Sequence, residues 1–281
     1  MYPPRLDYID FELINRVVAN FERHCERFLE NEKIGAHKSP QVSYARAYSM
    51  YEDLACYRYA LGFPFPEIRE LVHKALTWLE RVFELRGTTL GPLVTNIDSE
   101  GNRSVEPRKP AYEFTNSADG LKGMYLAVII GGIDRAVPLA QMVYDPPNAD
   151  YIGTDSDICT LDQQHLAYSV RNLILNDELS IAPQLDLISP ECKSDIAFQS
   201  TMIQAILDKQ PAIFKNALND LLNWHRKAAM QKLNRDFPEY FFCRPALALC
   251  VIGIEKDLIK KHELPNNMYL PLDLLEGKLM H

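Results

Sequence analysis

Three aspartates, Asp155, Asp157 and Asp162, stand near one another at the end of the stretch DPPNADYIGTDSDICTLD and could together hold a cation. A helix–loop–helix calcium loop also needs a glycine at its sixth position, for a sharp turn, and a glutamate at its twelfth, for two oxygens. Counted from Asp155, those positions hold Thr160 and Leu166. That loop is excluded, and clustered aspartates binding a divalent metal remain as an alternative chemistry. His262-Glu263 opens the H-E-x-x-H pattern of helical zinc proteases but runs into Leu264-Pro265. The glycines of Gly131-Gly132-Ile133-Asp134 lack the lysine and further glycines of a phosphate cradle. No G-x-S-x-G elbow occurs, and the six scattered cysteines form no Cys-x-x-Cys pair.

Arg69 and His73 lie one helical turn apart, one residue short of the shortest arginine–histidine spacing of helical ribonucleases. His24 and His225 sit on helical patterns among charged residues, and Trp78 and Trp224 on helix faces. The sequence therefore predicts no catalytic residue, no cofactor and no metal site, with thiols that are reduced and structural. Its 47% hydrophobic and 24% charged residues are those of a globular chain.

Charge is the informative quantity. From Asp145 to Asp195 ten acidic residues face only Arg171 and Lys193, a net of −8, so the rest of the chain is neutral. A nucleic-acid binder needs the opposite asymmetry, so that class is excluded. An acidic stretch suits a basic protein partner, and Tyr151 within it is an aromatic able to anchor an interface. The predicted partner-binding residues are Asp145, Asp150, Tyr151, Asp155, Asp157 and Asp162, with the 95–110 loop beside them.

Helical periodicity dominates the elements that would position such a surface. Phe11, Ile14, Val17, Val18, Phe21, Cys25, Phe28 and Leu29 keep the 3–4 spacing of one face, with Gly35 just beyond. A second helix is predicted over about 41–61, closed by Gly62 and Pro64, and a third begins at Pro66 and ends by Gly87. Residues 88–113 predict a small hairpin or a long loop. Beyond them, helices are predicted from Ser117 to the Gly131-Gly132 pair, over 133–143, from a capping box at Thr160 and Gln163, and at about 194–208, 211–234 and 240–262. Residues 178–192 show no clear period. The reading is an all-α array of eight to ten helices, with 1–87 as an N-terminal bundle and 114–281 as a C-terminal region packed with it.

Within that array YFFCRPALALCVIGI, residues 240–254, carries one charge, Arg244. It is too short for a bilayer, which needs about 20 apolar residues, and Glu255, Lys256 and Asp257 follow at once. No other segment of the sequence reads as more membrane-like, and the acidic N-terminal stretch lacks the apolar core of a signal peptide. A cytoplasmic location is expected. A helix apolar over most of its circumference belongs in the core, with Pro245 in its first turn and Arg244 seeking a carboxylate.

Phe242-Cys243-Arg244-Pro245-Ala246-Leu247-Ala248-Leu249-Cys250-Val251, followed by Tyr269-Leu270-Pro271-Leu272-Asp273-Leu274-Leu275, resembles the ending of bacterial immunity proteins of the immunity protein 49 family. A more distant likeness is to helical immunity proteins against PoNe-type DNase toxins. Tyr44-Ala45-Arg46-Ala47-Tyr48 and Tyr57-Arg58-Tyr59-Ala60-Leu61-Gly62 are compatible with such all-helical proteins, and the likeness covers about half the chain. It implies a non-catalytic protein that binds and neutralises a cognate secreted toxin, such as a type VI effector nuclease, encoded by an adjacent gene. The matching residues are expected to form the fold, so none is carried over as a toxin contact. A helical scaffold with several partners is the remaining alternative.

Overall fold

The computed structural model describes residues 6, 8–37, 40–85, 94–97, 103–106, 116–143, 160–192 and 194–275. Among these, nine α-helices form an all-α array. Helix α1 (Phe11–Lys33) starts where the Asp10 carboxylate accepts from Leu13 N–H at 2.9 Å. Its buried stripe is Ile14, Val18, Cys25 and Phe28. Gly35, at φ +62°, ends it, with Ala36 N–H reaching back to Asn31 O at 2.9 Å. Helix α2 (Pro40–Ala60) packs on both α1 and α3 (Phe65–Glu84). Gly62, at φ +86°, closes α2 in the same left-handed way. Trp78 on α3 packs, its ring centroid 4.7 Å from that of Phe28 and 5.3 Å from that of Tyr44.

The region between the two helical sets does contain a hairpin. Strand β1 (Val94–Ile97) pairs antiparallel with β2 (Arg103–Glu106), Val94 opposite Glu106 and Ile97 opposite Arg103. Helix α4 (Ser117–Met142) breaks at Gly132, where φ +74° and ψ −170° form a backbone region essentially confined to glycine. The break frees the Ile133 N–H, and the Glu255 carboxylate accepts it at 2.8 Å. This is the division the Gly131-Gly132 pair predicts. Helix α5 (Leu161–Ile174) opens with the Thr160–Gln163 capping box. After α5 come a 3₁₀ turn (Glu178–Ser180), the short α6 (Ile181–Leu185), α7 (Asp195–Leu207) and α8 (Pro211–Ala229).

Helix α9 (Arg244–Glu255) is the core helix that its composition predicts, although shorter than 240–262. Every residue from Ala246 to Ile252 is 0% exposed, and α4, α7 and α8 pack around it. The membrane ranking needs correction. Helix α4 is the more span-like segment, with an 18-residue window of mean hydropathy 1.4, but 67% of that window is buried by the other helices. Its Gly132 break and Pro138 divide the apolar run for a reader of the sequence.

Gly132→Ala places a side chain at positive φ, against the Glu255 carboxylate. The expected loss is about 1–3 kcal/mol in urea denaturation, and larger than that of Gly35→Ala, where φ is also positive but nothing lies within 4 Å of the added Cβ.

Candidate functional site

The charge that the apolar run could not explain is answered from the other half of the chain. The Arg244 guanidinium pairs with the carboxylate of Glu52 on α2, both side chains nearly buried, at 13% and 9% exposed. Charged groups gather around this pair. Burial pushes the Asp53 carboxyl up to about 6, against the pull of Lys122 and with a further push from Glu239. Burial also raises Asp119, which Lys122 and an Asn116 amide hydrogen bond oppose.

Beside the pair lies a cavity of about 330 Å³, near the small end of ligand-sized clefts. Five helices and one turn build it, with α5 giving Gln163 and Leu166. The α4 N-terminal half gives Lys122 and Tyr125, α7 gives Asp195 and Gln199, α8 gives Trp224 and His225, the 3₁₀ turn Pro238–Tyr240 gives Glu239 and Tyr240, and α9 gives Arg244. A short relay fixes one wall: Tyr125 O–H donates to Gln199 Oε1 at 2.6 Å, and Gln199 Nε2 donates to Asp195 Oδ2 at 2.9 Å. Burial raises the Asp195 carboxyl, opposed by backbone N–H groups at the start of α7 and by Gln199.

His225 is held in one tautomer. Its Nε2 lies 3.0 Å from the Tyr240 carbonyl, which only accepts, so Nε2 carries the proton and Nδ1 the lone pair. Burial pushes its pKa down to about 4, so the ring is neutral near pH 7. The same tyrosine stands beside Glu239, which together with burial raises the phenol.

Set beside known protein families, curated proteins and solved structures, this chain matches none of them.

The two family-like strings, 242–251 and 269–275, are brought together in the core. Cys243 N–H donates to Tyr269 O at 2.8 Å, Tyr59 O–H donates to Met268 O, and Arg69 Nη1 donates to Asp273 O at 2.9 Å. These residues join the chain's end to α2, α3 and α9, which is a fold-forming role. Arg69 is thereby occupied structurally.

Of the predicted contact residues, Asp145, Asp150, Tyr151, Asp155 and Asp157 lie outside the described residues, as does most of the 95–110 loop. Asp162 is described, and it is half-buried and already bonded within the chain. Its carboxylate accepts the Ser189 N–H at 2.9 Å. Among the described residues no group of three His, Cys, Asp or Glu side chains could hold a metal, and Cys25, Cys56, Cys192, Cys243 and Cys250 are free thiols.

The described part of the acidic stretch forms a strap over α5. Residues 176–191 run back along this helix, which is about 21 Å long. Three hydrogen bonds tie the strap down in sequence: Asn172 Nδ2 to Ser180 O at 3.3 Å, His165 Nδ1 with Gln184 Oε1 at 3.0 Å, and Asp162 with Ser189. Asp177, Glu178, Asp186 and Glu191 are all exposed on it. So are Leu179, at 91%, and Leu187, at 60%, with Leu161 at the start of α5 exposed at 61%. Sequence reasoning found the acidity but not the leucines, because a 3₁₀ turn and a five-residue helix are too short to show a period.

Asp53 gives a pH signature. Its folded-state carboxyl keeps a proton up to about pH 6, whereas the unfolded one loses it near 3.8, so the stability it contributes below 3.8 is lost as pH rises through 6. Asp53→Asn is expected to stabilise the protein at pH 7 by on the order of 2 kcal/mol and to change nothing below pH 3.8, read by urea denaturation at both. His225 acts oppositely, its contribution present above 6.5 and lost as pH falls towards 4, and serves as the internal contrast.

Proposed function

We propose that this protein is an immunity protein that neutralises a cognate secreted toxin by direct contact and without catalysis. The observation that carries the reading is the strap over α5, where exposed leucines stand among exposed carboxylates on a helical array. Burying such leucines against a partner releases water, at about 25 cal/mol per Å² of apolar surface. The surrounding carboxylates raise the encounter rate with a basic surface and disfavour an acidic one. A toxin that handles nucleic acid has such a basic surface, built for phosphate. The likeness of 242–251 and 269–275 to immunity-protein endings supports the same class, and the acidic 145–162 segment, which leads into α5, extends the contact surface in this proposal.

Co-expression with the product of the adjacent upstream gene tests the reading, scored by growth rescue and by a co-purifying complex. Rescue with a complex is the expected result, and toxicity that persists in the presence of this protein contradicts it. Within the complex, reversing Asp177, Glu178 and Asp186 to Lys should lower the association rate about tenfold at low salt, and less at high salt. Leu179→Ala with Leu187→Ala should speed dissociation instead. Reversing Asp150, Asp155 and Asp157 separates the two parts of the surface, since an unchanged rate removes the 145–162 segment from the contact.

A further inference from the structure

The 330 Å³ cavity is built from groups that are individually incomplete. Asp195 accepts from the Gln199 amide and from backbone N–H groups, and among the described residues it forms no salt bridge. Of the two cations that share the wall, Arg244 pairs with Glu52, and Lys122 is exposed, acting on Asp53 and Asp119 only as a nearby charge. His225 is only 6% exposed, and among the described residues its Nδ1 lone pair meets no donor. Trp224 is half-buried in the same wall with neither a ring partner nor a hydrogen bond among the described residues, unlike Trp78, whose faces meet Phe28, Tyr44 and Arg81. Glu239 stands exposed at the mouth, and Tyr240 beside it is half-buried.

A desolvated carboxylate calls for an opposite charge, an imidazole lone pair without a protein donor for an N–H group, and an unstacked indole for a flat or cationic group. One chemical group answers all three. We propose that this cavity is a binding site for a guanidinium, donating to Asp195 and to His225 Nδ1 and lying against Trp224 and Tyr240. A guanidinium is planar, offers five donors and is weakly hydrated, so it enters a partly apolar recess more readily than an ammonium. The site stands whether or not the protein is an immunity protein, because its ligand chemistry is set by the cavity wall alone.

The test is a titration of the full chain with butylguanidinium and with its neutral isostere butylurea, following the indole ¹H–¹⁵N signals of Trp224 and Trp78. A saturable shift of the Trp224 signal is expected with the cation, weaker by about tenfold with butylurea and in Asp195→Asn, while Trp78 stays in place. Glu239→Gln, an exposed change that leaves the helices untouched, should weaken the cation about twofold to fivefold. Absence of a saturable shift, an equal response to the two probes, or wild-type affinity in both variants overturns the proposal. N-acetyl-arginine-N-methylamide binding more tightly than agmatine assigns the guanidinium to a partner's arginine. The reverse order assigns it to a free small molecule, and either order upholds the site.

Discussion

A guanidinium with almost no water around it must find a carboxylate, and in this fold Arg244 finds Glu52 across 192 residues of chain. Removing two charges from water is expensive, and their attraction repays that only when both stay paired. The pair therefore fixes where the start of α9 meets α2, in the one place where neither group is left alone. From that point α9 runs inward with no residue exposed between Ala246 and Ile252, so the helices around it have no freedom to slide without opening the core. Its far end returns a charge to another element, Glu255 capping the broken backbone of α4 at Ile133. One twelve-residue helix is thus pinned electrostatically at both ends and by packing between them.

Much of this architecture is legible in the residue pattern because its causes are local. Gly35 and Gly62 end helices where positive φ is required, and the Thr160–Gln163 box starts one where two backbone donors need acceptors. The run from 240 to 254 declares a core helix because it has no polar face. What the pattern hides is pairing over distance. Arg244 announces that it needs an acid, yet nothing near it in sequence identifies Glu52 among 38 acidic residues. The span-like character of α4 is similarly obscured, since two glycines and a proline interrupt a run that the fold bends and still uses as one element.

The site was legible only as a composition. The net charge lies in one fifth of the chain, but Asp162 is taken up by the Ser189 N–H, and the leucines exposed beside the described carboxylates lie on turns without periodicity. The cavity beside Arg244 leaves still less trace. Asp195, Trp224, His225 and Glu239 come from different elements and have no spacing in common, and only the closeness of α7, α8 and α9 assembles them. The two proposals place different kinds of recognition on one scaffold: a protein partner at the outer strap of carboxylates and exposed leucines, and a single cationic group in the recess. Those two kinds weaken differently with salt, since exposed charges are screened within about 10 Å at 0.1 M and buried ones much less.

The central claim is that the Arg244–Glu52 pair holds the N-terminal helices to the core helix. A double-mutant cycle by urea denaturation of Glu52→Gln, Arg244→Met and the combined variant tests it most directly. Each single change leaves a buried charge unpaired and is predicted to lose about 3–5 kcal/mol, whereas the combined variant loses clearly less than the sum, a coupling of about 2 kcal/mol or more. Additive losses would contradict the account and show that the two side chains contribute to stability independently.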